Sequence, residues 1–102
     1  MSTESVTWPE LDPDEIDIAE LDFSLYANGS ALNSAVPDVV VVRGVDASPA
    51  QVLVGGVTIS GFKVFQRVRG RLPNVHYKLR VRGVFADGRE KVLAGTWQCS
   101  VK

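Results

Sequence analysis

The clearest pattern of apolar and polar positions lies between Leu72 and Val101. Val75, Tyr77, Leu79 and Val81 alternate with His76, Lys78, Arg80 and Arg82. Side chains two apart in a strand share a face, so this segment has one apolar and one wet face. Ala86-Asp87-Gly88-Arg89 has the chemistry of a chain reversal. Leu93, Trp97, Cys99 and Val101 then repeat the apolar parity on the return. The stretch predicts an antiparallel hairpin.

Similar signals recur upstream. Ile16 and Ile18, then Leu21, Phe23 and Leu25, alternate with acidic and small polar residues. The change of parity between Ile18 and Leu21 predicts a β-bulge at Ala19-Glu20. Helical spacing fits part of this segment, but Phe23 and Leu25 continue the alternation and favour a strand. Asn28-Gly29-Ser30 breaks the chain. The four valines Val39 to Val42 predict a strand, covered on both sides or lying at an edge used for contact. Pro37 cannot donate to a ladder and marks its expected start. Asp46-Ala47-Ser48-Pro49 reads as a turn, Gln51 to Val54 as a short strand, and Gly55-Gly56 as a turn or bulge. A further bulge near Gly61-Phe62 would reconcile Val57 and Ile59 with Phe62, Val64 and Val68. Six or seven short strands separated by turn signals predict an all-β, antiparallel β-sandwich.

The chain has 102 residues, the size of one domain. Residues 1–10 read as a flexible arm, extended at Trp8-Pro9, and residues 11–102 as the sandwich. Cys99 is the only cysteine, which excludes an intrachain disulfide or a thiolate cluster. No apolar run approaches the roughly 18 residues of a membrane helix. The polar, acidic start lacks the basic and apolar regions of a signal peptide, so the expected place of synthesis is the cytoplasm.

Charge is divided along the chain. Nine acidic residues and no lysine or arginine precede Arg43, whereas eleven basic and three acidic residues follow from Arg43 onward. Either the acidic strand lies beside basic strands within the domain, or the surface is bipolar and docks on a copy or partner. The near-neutral balance argues against nucleic acid, which needs a basic stripe that its own chain does not neutralise. Arg67 and Arg69, together with Lys78, Arg80 and Arg82, form a candidate interaction surface with Val39 and Val41 of the valine run.

Catalytic and metal chemistry finds little support. His76 is the only histidine and has the wet parity, without a visible orienting partner. Cys99 has the core parity and reads as a small hydrophobe. Asp12, Asp14, Glu15 and Asp17 have a calcium-site look, but no glycine stands between residues 1 and 28, so an EF-hand loop fails. The sequence contains no phosphate-binding glycine loop. The acidic cluster reads as a solvated turn that keeps an edge strand charged, with an irregular Ca2+ site as the alternative; no cofactor or catalytic residue is expected.

Two resemblances add to this reading. Leu72-Pro73-Asn74-Val75-His76-Tyr77 resembles the tyrosine corner of fibronectin type III and immunoglobulin-like domains. That implies an immunoglobulin-like sandwich, with Leu72 and Tyr77 locking the corner and the tyrosine hydroxyl bonding back to the main chain. The cysteine pair and strand-C tryptophan of antibody domains are absent. Asp12-Pro13-Asp14-Glu15-Ile16, Leu21-Asp22-Phe23-Ser24 and Ala86-Asp87-Gly88-Arg89 resemble small immunoglobulin-like proteins of tailed bacteriophages and prophages, encoded among head and tail genes. Residues 30–60 depart from that pattern, with the valine run in place of a tryptophan strand. The resemblance implies a non-enzymatic virion component or assembly factor, bound to other phage structural proteins and monomeric in isolation. It would sit in the bacterial cytoplasm during assembly and in the virion afterwards. The alternative is a carbohydrate- or cell-surface-binding module, for which Trp8, Tyr26 and Phe65 are the candidate aromatic platform.

Overall fold

Seven strands fold into two facing sheets in a computed structural model that describes residues 5–102, with side chains described from Val6 onward. In chain order they are β1 (Ser5–Thr7), β2 (Ile16–Asp22), β3 (Leu32–Arg43), β4 (Leu53–Ser60), β5 (Lys63–Arg69), β6 (His76–Phe85) and β7 (Glu90–Gln98). One sheet has the order β1-β7-β6-β3 and the other β2-β5-β4. The chain is an all-β sandwich. All pairings are antiparallel except β1 with β7, which is parallel.

The alternation of β6 and β7 sets the core. Tyr77, Leu79 and Val81 point inward from β6, and Leu93, Trp97 and Cys99 from the return. Tyr77 and Trp97 are cross-strand partners, stacked with centroids 5.5 Å apart. From the opposite sheet come Leu21, Val64 and Val68, with Phe23 just past β2 and meeting Phe85 edge-on at 6.4 Å. Burying each such side chain contributes about 1.5–3 kcal/mol.

Several sequence expectations need correcting. β2 pairs with β5 without a register shift from Ile16 to Asp22, so no bulge lies at Ala19-Glu20. Ile16 and Ile18 instead face outward, while Ala19 and Leu21 face the core. β3 starts at Leu32, and Pro37 lies within it. The proline is tolerated because β3 is an edge strand. Pro49–Val52 is a 3-10 turn, and the strand begins only at Leu53. Gly61-Phe62 is the turn joining β4 to β5, since Ser60 pairs with Lys63. The bulge is upstream, at Gly55-Gly56. Val101 lies beyond β7 and is 72% exposed.

The expected arm also contributes structure. Residues 1–4 lie outside the described residues, but Ser5–Thr7 form β1 beside β7. Trp8 then lays its ring directly over Gly95, where any Cβ would collide with the indole. Its centroid is 6.2 Å from that of Trp97.

Candidate interaction surfaces

Tyr77 occupies the end of the sandwich where the β3–β4 and β5–β6 connections meet. Its hydroxyl accepts the Leu72 N–H at 3.3 Å and donates to Asp46 Oδ2 at 2.8 Å. Asp46 Oδ1 accepts the Ser48 N–H at 2.9 Å and pairs with Arg71 Nη2 at 3.2 Å. The Asp46 side chain is completely buried. Burial, then the bond to Asp46, pushes the Tyr77 phenol well above its ordinary range. The arrangement ties two loops together and holds the phenol neutral. In the sequence, the turn chemistry of Asp46-Ala47-Ser48-Pro49 marks Asp46 as an Asx-turn residue but does not reveal its distant tyrosine partner.

The candidate cations separate into two groups. Lys78, Arg80 and Arg82 lie on the outer face of the four-stranded sheet, opposite Val40, Asp38 and Val36 of β3. Across β7 they meet Thr96, Ala94 and Val92. Arg80 pairs with Asp38 at 3.3 Å, and Arg82 with Glu90 at 3.5 Å. Both pairs are about half exposed, so each contributes at most about 1 kcal/mol. The face is thus a cationic ridge flanked by Val36, Val40, Val42 and Val92, all exposed. A hollow of about 240 Å3 lies among Val36, Asp38, Arg80, Arg82 and Val92.

Arg67 and Arg69 lie on β5, in the other sheet, opposite Ile18 and Ile16. The chain crosses between sheets after Arg69, so the two basic strands look away from each other. The candidate surface is therefore not one patch. Val39 and Val41 do not belong to it: they face Leu79 and Tyr77 across the ladder and pack on the core. Their neighbours Val40 and Val42 are the outward ones.

The remaining candidates do not assemble into a reactive centre. His76 and Cys99 stand near one another along the sheet but on opposite faces, since His76 pairs with Gln98. Cys99 is fully buried, and desolvation raises its thiol pKa. Among the described residues, no three His, Cys, Asp or Glu side chains are grouped to hold a metal ion. Asp12 accepts the Lys102 N–H at 2.8 Å, and Glu15 pairs with Lys102 Nζ at 2.7 Å. Backbone N–H donors, chiefly those of Lys102 for Asp12 and Asp12 for Glu15, hold both carboxyls below the usual range. Trp8, Tyr26 and Phe65 lie in three different places: over Gly95, beside Lys91, and on the outer face of β5. No helix among the described residues is long and apolar enough to cross a membrane.

No protein-family model matches the sequence, and no curated protein matches it.

Proposed function

We propose that this chain is a non-enzymatic protein-contact module of a tailed-phage or prophage particle, a virion component or assembly factor. The observation that carries the reading is the outer face of the four-stranded sheet. Four exposed valines flank Lys78, Arg80 and Arg82, and β3 is an edge strand with one side open. Exposed apolar side chains beside charged ones mark protein contacts, and an open edge accepts a further strand. The opposite faces taken by His76 and Cys99 support a reading without catalysis.

The phage context rests on the short motifs around Asp12-Pro13-Asp14-Glu15, Asp22-Phe23-Ser24 and Asp87-Gly88-Arg89. An immunoglobulin-like reading draws support from the division of strands into β2-β5-β4 and β7-β6-β3 and from the bond between Leu72 and Tyr77. The carbohydrate alternative needs one aromatic platform, and the separation of Trp8, Tyr26 and Phe65 weighs against it. The test is the protein composition of particles released by a bacterium that carries this gene. The chain should be recovered with purified particles at a fixed ratio to the other structural proteins. Finding it only in the soluble fraction would contradict the proposal.

A further inference from the structure

The outer face of the three-stranded sheet carries a second site, built around the irregularity in β4. The β4–β5 ladder pairs Val54 with Arg67 and resumes at Thr58 with Phe65. Gly55, Gly56 and Val57 therefore stand against Gln66 alone, and the strand bows outward. Gln66 is 1% exposed and braces the bulge from within. Its Nε2 donates to the carbonyls of Gly55 at 3.2 Å, Val54 at 3.4 Å and Arg67 at 2.8 Å. Gly55 has φ +70°, and a Cβ on Gly55 or Gly56 would meet nothing within 4 Å. The outside of the bulge is thus bare main chain. It borders a hollow of about 480 Å3 with Ile18, Val54 and Phe65 as its apolar lining and Arg67 at its rim.

The charges on this face are unbalanced. Arg67 and Arg69, like Arg43 and Lys78 elsewhere, have no acidic partner among the described residues, whereas Lys63, Arg71, Arg80, Arg82, Arg89 and Lys102 each have one. The ladder sets isoleucines opposite the two arginines, while Glu20 goes to Lys63 at 3.4 Å. Two arginines two residues apart on a strand present their guanidinium groups about 7 Å apart on one face. A partner strand repeats its own side chains at the same interval.

We propose that this face binds an extended acidic segment of a partner protein. One aliphatic side chain enters the hollow over Phe65 and Ile18, and two carboxylates spaced two residues apart pair with Arg67 and Arg69. The planar guanidinium fork matches a carboxylate in two parallel bonds. The aliphatic lining and single ring suit an aliphatic side chain rather than a stack of bases, which needs successive aromatic platforms. The pattern sought is apolar-x-acid-x-acid. The proposal rests on the protein-contact reading above but uses the opposite face, so either can fail alone.

The test is a titration of the isotope-labelled full chain with a capped seven-residue peptide carrying leucine at its second position and aspartate at its fourth and sixth. Shifts should be confined to the amides of Gly55, Gly56, Phe65, Arg67 and Arg69. The double variant Arg67→Gln/Arg69→Gln should weaken binding about tenfold or more through loss of the charge-assisted bonds. Gly56→Leu, which fills the hollow without touching a charge, should also weaken it, as should serine in place of the peptide leucine. Lys78→Gln/Arg80→Gln should leave binding unchanged. Thermal melts of the variants separate misfolding from lost affinity. The proposal is overturned by absence of shifts at about 1 mM peptide, a concentration that detects even weak complexes, or by shifts on β6. Equal binding of oligothymidylate or of the leucine-free peptide would also overturn it. So would a dimer that the arginine variant abolishes, which would assign the face to a second copy.

Discussion

Tyr77 and Asp46 form the most consequential pair of side chains in the core. Removing the phenol oxygen leaves the Leu72 N–H and one oxygen of a buried carboxylate without their partner. Tyr77→Phe should therefore lower stability by about 1–2 kcal/mol, measured by denaturant unfolding. Asp46→Ala should cost more, about 2–3 kcal/mol, because it also strands Arg71 and the Ser48 N–H. The pair has a pH signature. The phenol is raised above its ordinary value of about 10 when folded, so above pH 10 the unfolded chain releases a proton that the folded chain retains. Stability from this group is intact below pH 10 and falls above it by about 1.4 kcal/mol per pH unit. Comparing wild type with Tyr77→Phe at pH 9 and 11 checks this: the variant should show a smaller loss. The tyrosine and its leucine were legible because they lie five residues apart in a recognisable pattern. Asp46 was not, because 31 residues separate it from Tyr77, and the contact exists only once β3 pairs with β6 and the loop leaving β3 reaches the tyrosine.

At the scale of elements, alternation was a reliable guide where one face of a strand meets the core and the other meets water. β6 and β7 come nearest to that condition: Tyr77, Leu79, Val81, Leu93, Trp97 and Cys99 are buried as the spacing predicts, whereas Val101, given the same parity, lies beyond β7 and is exposed. β2 breaks it. Ile16 and Ile18 are apolar yet face outward, so parity suggested a bulge where the ladder is regular. In the three-stranded sheet the bulge lies at Gly55-Gly56, where glycine permits the positive φ of Gly55, and β3 has register shifts of its own between Leu32 and Ser34 and between Val41 and Arg43. Its brace, Gln66, sits at a core parity between Val64 and Val68. Gln66→Leu keeps most of the volume but removes the donor to the Val54 and Gly55 carbonyls. It should cost about 1–2 kcal/mol and speed hydrogen exchange around Gly55 to Val57. Unchanged exchange there would mean that the bulge holds itself.

The whole molecule shows why the division of charge along the chain does not produce two oppositely charged poles. The acidic β2 lies beside the basic β5, and Glu20 pairs with Lys63. The acidic turn at Asp12 to Glu15 takes Lys102 from the other end of the chain. Part of the opposite charge is thus paired within the domain, although Arg67 and Arg69 are not. Light scattering should find a monomer with no dependence on salt between low ionic strength and about 0.5 M, where screening lengths shrink to a few ångström. A dimer that dissociates in salt would restore the bipolar reading. The placement of Arg67 and Arg69 on one sheet and of Lys78, Arg80 and Arg82 on the other was illegible in sequence. The strands are neighbours along the chain, and only the crossing between sheets turns their faces apart.

On the proposed function, protein partners meet the valine-flanked face of β3, β6 and β7. The most direct measurement is quantitative recovery in purified particles of a Val40→Asp/Val42→Asp variant against wild type, each checked for folding by thermal melting. A few apolar contact residues typically carry most of an interface's energy, and a buried carboxylate in their place repels the partner, so recovery should fall about tenfold or more. Equal recovery of the folded valine variant and wild type would contradict the account.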